Sequence, residues 1–251
     1  MSRSAPIGPS DVIDRVERVT DPELDRSIVD LDYVDDVAVD PPTATIELTL
    51  PTAWCSPAFA WMMAADARDA ARDLPGIERV RVRLRDHMHG EEISRGVSRR
   101  RAFEDVFDDA EDDLSAVRAQ FDHKARVARQ YDAVEALADA GVDPSQSARL
   151  RRRDVDVDAL DGRTAVQVPN VDLYVTIPTE PIERYVRKAE AIGLVSAPDD
   201  RLFATIEGEP VPPEDAETVH RRARLTRTNM HGQGGICDRL HEARNGDRTD
   251  A

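Results

Sequence analysis

Lysine is nearly missing from this chain: Lys124 and Lys188 are the only two among 34 basic residues, and arginine supplies the rest. Cysteine is as scarce, with Cys55 and Cys237 far apart and no Cys-x-x-Cys between them. That excludes a disulfide framework, and it leaves one chain short of the four thiolates a conventional iron–sulfur cluster wants. Aromatic residues make up 4% of the chain, too few to interleave with basic runs as a base-stacking platform. No apolar run approaches the ~20 residues that span a bilayer, and Met1 to Pro6 do not lead into a signal-peptide core. The expectation is a soluble, cytoplasmic protein without a membrane partner. Between about 99 and 140 no Glu-x-x-His pair appears, and a diiron oxygenase is rejected. No acid–base pair or nucleophile–base constellation stands out, so an enzymatic activity of its own is not expected.

What is abundant is acid. The formal charge is −16 and the isoelectric point about 4.8. A nucleic-acid backbone is repelled overall, and nucleic acid is not an expected partner. Aspartate accounts for 33 of the 50 acidic residues, a skew that looks like a salt-adapted, halophilic proteome. The charge then reports habitat more than partners.

The first third has legible periodicity. Ser10-Asp11 is placed to cap a helix carrying Val12, Ile13, Val16 and Val19, and Leu31–Val39 reads as a strand. Asp40-Pro41-Pro42 turns into a second strand, 43–50, where Thr45, Glu47 and Thr49 alternate with Ile46, Leu48 and Leu50. Ser56 and Pro57 suit the cap and first position of a helix bearing Phe59, Trp61, Met62 and Met63. Pro75-Gly76 ends it, and Ile77, Val80, Val82 and Leu84 mark a third strand. Cys55 thus falls just outside a helix N-terminus, where the dipole favours the thiolate that binds iron or zinc. A small buried hydrophobe is the other reading of the same cysteine.

The order α-β-β-α-β carries a geometric consequence. A right-handed helical crossover makes strands 43–50 and 77–85 parallel, so their C-terminal ends share one edge of the sheet. Cys55 follows one end, and Asp86-His87-Met88-His89-Gly90-Glu91-Glu92 follows the other. Thiolate, imidazole and carboxylate are then candidates to meet around a metal, with Cys55, His87 and His89 as ligands and His87 ahead of His89. Solvent-facing histidines on a polar loop are the alternative.

The run DPELDRSIVDLDYVDDVAVD followed by TATIELTLPTAWCSP resembles the iron–sulfur cluster assembly factors of the SufT and PaaD type, over roughly residues 8–86. In that family an Asp-Pro-Glu motif precedes an Ile-Val-Asp-Leu-Gly segment, and a strand runs into a loop whose cysteine handles metal or cluster. The resemblance places family positions on Asp21, Pro22, Glu23, Ser27, Asp30, Thr52 and Cys55. It implies Cys55, Asp21, Glu23 and Thr52 as residues that handle cargo. Asp32 stands where the family has glycine, and Ser56 displaces the proline after the cysteine to Pro57. A Cys-Ser-Pro-Ala-Phe variant with a long C-terminal extension also resembles accessory proteins of bacterial diiron monooxygenases. The implied cofactor is a transiently held iron–sulfur cluster or iron. The implied partners are a client apoprotein or oxygenase component, with a homodimer as one way to complete a cluster's ligands.

Beyond residue 99 helical character returns, first around Phe103, Val106 and Phe107, then along Leu114, Val117, Phe121, Ala125 and Ala128. The acids Asp108, Asp109, Glu111, Asp112 and Asp113 read as a solvated face. From about 133, LADAGVDPSQSARLRRRDVDVDALDGRTAVQV, with IERYVRKAEAIGL and DRLFATIEGEPVPPEDAETVHRRARL, is similar in layout to the catalytic domain of tyrosine recombinases. The His-x-x-Arg box and the tyrosine nucleophile have no counterpart, so the likeness implies a catalytically disarmed scaffold. Arg149–Arg153 and Arg221–Arg227 are more readily salt-bridged than phosphate-bound. Gly232-Gln233-Gly234-Gly235 resembles a phosphate loop but lacks the Gly-Lys-Ser/Thr ending. His231, Cys237 and His241 form a weaker second metal candidate.

The expected fold class is α+β (α/β-like): a small α-β-β-α-β domain over residues 1–90, a helical connector over 91–140, and a mainly helical C-terminal extension with a β-hairpin over 141–251. The leading functional expectation is an assembly or targeting factor that handles metal or cluster through Cys55 and delivers it to a client recognised by the C-terminal half. Alternatives are a non-catalytic subunit of a diiron oxygenase system and a nucleic-acid-binding regulator built on the recombinase-like half.

Overall fold

In a computed structural model the described residues are 7–108, 113–160, 162–171 and 173–246, with only the backbone described for 158–160, 231, 233–239 and 241–246. Asp109, Glu111 and Asp112 lie outside them, as do the side chains of His231, Cys237 and His241. The fold is α+β. The chain divides into two compact units, one holding residues up to 121 with those from 231 onward, the other holding 122–230.

In the first unit, α1 (Pro9–Val16) is capped by Gly8 rather than by Ser10, and Asp11 Oδ2 accepts the Gly8 N–H at 2.8 Å. Pro9 takes the first turn, where a missing N–H costs nothing. The expected strand from Leu31 starts later, as β1 (Val34–Asp40), because residues 28–33 close a helical turn. Tyr33 N–H donates to Ile28 O (2.9 Å) and Asp32 N–H to Val29 O (3.0 Å), with Asp32 left-handed at φ 54°. This is the Schellman pattern, with Tyr33 and Ile28 both buried as its hydrophobic pair. Aspartate tolerates that conformation better than most side chains, and glycine adopts it without a Cβ penalty. Asp32 is exposed. Asp32→Gly is therefore expected to raise stability by about 0.5–1 kcal/mol, read from denaturant midpoints; a loss would contradict the turn assignment.

β1 pairs antiparallel with β2 (Thr43–Thr49), and β2 pairs parallel with β3 (Arg79–Arg85), Ile46 opposite Val82 and Thr49 opposite Arg85. The parallel pairing bears out the expected parallel arrangement of these strands, whose helical crossover is α2 (Pro57–Arg72). Ser56 and Pro57 sit at its cap and first positions. Alanines 60, 64, 67 and 71 are buried, and small side chains let the helix approach the sheet residues Ile46, Leu48, Val80 and Val82. Each of those four contributes about 1.5–3 kcal/mol by leaving water.

The polar stretch after β3 leads into a helix, α3 (Gly90–Ser98), at the start of the span expected as a helical connector. Two glycines explain both the helix's position and its poor sequence signal. A Cβ on Gly90 would lie 2.7 Å from Leu84 O, and one on Gly96 2.5 Å from the Trp61 ring. α3 also covers the edge of β3: Ser98 Oγ accepts the Val82 N–H (3.1 Å) and Ser94 Oγ the Leu84 N–H (2.8 Å). Helical character around Phe103 to Phe107 is limited to a turn, and α4 begins only at Leu114 (Leu114–Asp139).

In the second unit, Asp143 caps the short α5 (Pro144–Ser147). The expected hairpin extends to a three-stranded antiparallel meander, β4 (Val155–Leu160), β5 (Arg163–Val168) and β6 (Leu173–Pro178). α6 (Thr179–Ala191) buries Ile182, Tyr185, Val186 and Ala189. The final helix, α7, runs over Ala216–Gly246. Residues 232–235 are helical backbone, so the glycine-rich segment forms no phosphate-type loop. No helix among the described residues is long and apolar enough to cross a membrane.

Candidate functional site

Because β2 and β3 are parallel and in register, the loops that leave their C-terminal ends emerge side by side. Two hydrogen bonds join them. Met88 N–H donates to Ala53 O at 3.0 Å, and His87 Nε2 lies 2.9 Å from Cys55 O. His89 N–H donates to His87 Nδ1 at 3.1 Å. A carbonyl only accepts and a backbone N–H only donates, so these partners assign His87 as the neutral Nε2–H tautomer.

His87 does meet the cysteine loop, as the crossover argument anticipated, but at the main chain of Cys55 rather than its sulfur. Both ring nitrogens are engaged, and a metal could reach either only by breaking one of these bonds. His89 is the histidine whose ring nitrogens carry no hydrogen bond among the described residues; its ring rests edge-on against Phe107 at 5.4 Å. Among the described residues no three His, Cys, Asp or Glu side chains stand together as a ready-made metal cage.

Cys55 is half-buried, one position before the helix cap. Its Sγ lies 3.4 Å from Thr52 Oγ1, which also accepts the Trp54 N–H at 3.3 Å. The hydroxyl can donate to a thiolate or accept from a thiol. Trp54 and Met88, one on each loop, are 76% and 54% exposed, large apolar side chains flanking the cysteine. Beyond the helix start, Pro57, Phe59, His89, Glu92 and Phe107 line a cleft of about 790 Å³.

The Asp-Pro-Glu motif serves the backbone. Asp21 Oδ1 accepts the N–H groups of Glu23 (2.8 Å) and Leu24 (3.0 Å), and the main chain closes with Asp21 N–H to Arg26 O and Asp25 N–H to Asp21 O. Burial pushes the Asp21 carboxyl above the ordinary aspartate range, and the two backbone donors only partly oppose it. No hydrogen bond joins Asp21 or Glu23 to the Cys55 loop among the described residues.

A folded-state value raised above the unfolded one, about 3.9, gives stability that is full below that pH and lost as pH rises through the folded value. Asp21→Asn keeps the acceptor without the charge. Its stability relative to wild type is expected to rise with pH, whatever constant offset the amide brings. Asp21→Ala orphans two N–H groups and costs about 1–3 kcal/mol. Denaturant titrations at several pH values check both, and a pH-independent Asn difference would contradict the buried-carboxyl account.

The basic run of the second unit is largely internally paired. Arg152 bridges Glu190 at 2.7 Å and Arg153 pairs with Asp199, while the Arg151 N–H is capped by Asp154 at 2.8 Å. Arg227 pairs with Asp132.

Set beside known protein families, residues 9–84 match the model of the iron–sulfur cluster assembly protein family. The match takes in α1 through β3, the Asp-Pro-Glu turn and the Cys55 loop, and covers under a third of the chain. No curated protein matches the chain significantly.

The four arginines of β3 are the feature that sequence reading passed over. The alternation Arg79-Val80-Arg81-Val82-Arg83-Leu84-Arg85 was informative for its apolar half alone, yet it also places four guanidinium groups on one face.

Proposed function

We propose that this chain is a non-catalytic accessory factor in iron–sulfur cluster or metal-centre assembly, with Cys55 as the atom that takes the cargo and a client protein as its destination. The observation that carries the reading is the setting of Cys55. Its loop follows a strand of the matched domain and is held from the neighbouring loop by the His87 ring, so the thiol is presented from a fixed main chain. Thr52 stands by to donate to the sulfur when it is ionised. His87 acts as a positioning residue, and His89, with open ring nitrogens, is the better placed imidazole to join Cys55 as a ligand.

One thiolate falls short of a cluster's ordinary ligand count, so the remaining ligands come from a second chain or from the client. That suits hand-over better than storage. Trp54 and Met88 give the client an apolar surface next to the sulfur, in keeping with the aromatic and methionine enrichment of docking sites. Client recognition by the second unit completes the proposal.

Hand-over is testable directly. The full chain is loaded anaerobically with ferrous iron and sulfide and mixed with an apo-ferredoxin, whose cluster absorption reports transfer. Faster maturation than with free iron and sulfide at equal concentration, lost in Cys55→Ala, is expected. Equal rates for wild type and variant would refute delivery through Cys55.

A further inference from the structure

The edge of the first sheet has a character opposite to that of the protein as a whole. Between β3, the C-terminal end of α2 and the outer side of α3 runs a cleft of about 790 Å³ lined by eight arginines and only two carboxylates, Glu78 and Glu91. Some of the arginines are engaged within the protein. Arg83 and Arg85 both bind Glu47, at 3.0 and 2.6 Å, and hold its carboxyl below the usual range. Arg68 is held by Asp69 and by Val97 O. Arg72, Arg79, Arg81, Arg95, Arg99 and Arg100 are exposed, and their guanidinium groups have neither ion-pair nor hydrogen-bond partner among the described residues.

In a chain with 16 more acidic than basic residues, a guanidinium has many carboxylates to choose from. Six left unpaired around one cleft concentrate positive charge where the protein's own acids do not neutralise it. We infer that this cleft docks an acidic polypeptide segment of a partner protein, through carboxylates gripped by Arg79 and Arg81 on one wall and Arg95 and Arg99 on the other. The inference goes beyond the assembly reading and does not depend on Cys55.

The mode of docking follows from the edge. Ser94 and Ser98 already hold the N–H groups of Leu84 and Val82, so those two positions are closed to an added strand. Recognition must then come from side chains. Arg79 and Arg81 are one strand repeat apart, roughly 6.6 Å, which is also the spacing of alternate residues in an extended peptide. Arg95 in the last turn of α3 and Arg99 at its C-cap are four residues apart, about 6 Å along the helix axis. Planar guanidinium forks, rather than ammonium groups, favour two-pronged binding of carboxylates.

Nucleic acid fits less well. The lining holds no aromatic side chain on which a base can stack. Glu78 and Glu91 would face a continuous phosphate backbone, whereas a peptide can place its carboxylates away from them.

The test is fluorescence anisotropy of a labelled Glu–Ala repeat peptide with the full chain at low ionic strength, where such contacts are least screened. Arg79→Glu/Arg81→Glu and Arg95→Glu/Arg99→Glu are each expected to weaken binding about tenfold or more. Arg79→Lys/Arg81→Lys, which keeps charge but loses the forks, should weaken it severalfold. Arg221→Glu on α7, an exposed arginine outside the cleft, should change it less than twofold. All four positions are exposed, and far-UV circular dichroism should match wild type. The inference is overturned if the cleft reversals bind as wild type does, or if Arg221→Glu loses as much. It is also overturned if single-stranded DNA of equal charge binds more tightly than the peptide and displaces it.

Discussion

Arg126→Met is expected to destabilise the second unit by about 2–4 kcal/mol, a fall of roughly 10–20 °C in its thermal midpoint. Arg126 is 1% exposed, and no ion pair joins it to a carboxylate among the described residues. Its guanidinium instead gathers carbonyls: Ala204 O at 3.2 Å, Thr205 O at 2.9 Å and Ile206 O at 3.3 Å, with Gln130 Oε1 at 3.1 Å. Gln130 completes the arrangement by donating to Ala204 O and accepting the Ala204 N–H. Methionine fills much of the volume but leaves the carbonyls of 205 and 206 without this donor. Burial lowers the Arg126 pKa, yet a guanidinium stays protonated throughout the working range. Burial, with a smaller contribution from the same charge, holds nearby His123 below the ordinary histidine range. Arg126→Lys should recover only part of the loss, because one ammonium group cannot span carbonyls that a planar fork reaches together. A loss below about 1 kcal/mol for Met would mean that the 204–206 segment is held by other contacts.

His87→Ala is expected to reduce iron loading at Cys55 by about 10- to 100-fold while costing only about 1–2 kcal/mol of global stability. The two numbers part because the ring acts on a loop. It ties Cys55 O to His89 N–H through opposite sides of one imidazole, and without it the cysteine's main chain loses its tether to the loop after β3. His87→Gln, which can still donate to a carbonyl, should fall between alanine and wild type. Loading by anaerobic ferrous titration and stability by denaturant melts, measured on the same preparations, separate positioning from folding. Equal loading in His87→Ala and wild type would remove His87 from the site.

Much of the first unit was open to sequence reasoning because its signals are local. Strict alternation in β2 and β3, Pro57 after Ser56 and the right-handedness of crossovers together put the Cys55 loop beside the loop after β3. What the ring of His87 finds there was not legible. Sequence displays side chains, so a thiol looked like its natural partner, while the acceptor is a main-chain carbonyl. α3 was legible only as part of a broad helical connector: Gly90 and Gly96 weaken its own signal, yet both are required where Leu84 O and Trp61 approach. Asp21 looked like a cargo-handling acid by resemblance, and only the fold shows its carboxylate accepting from the two N–H groups that follow it. Arg126 lies mid-helix and drew no notice in the sequence, since its carbonyl partners come nearly 80 residues later.

Metal binding by Cys55 is tested most directly by anaerobic reconstitution with iron and sulfide, followed by iron and sulfide analysis and visible absorption of wild type and Cys55→Ala. The account predicts iron–sulfur absorption in wild type, with substoichiometric iron per chain if two chains share a cluster, and none in the variant. Equal iron and equal absorption in both, or no bound iron in either, would contradict it.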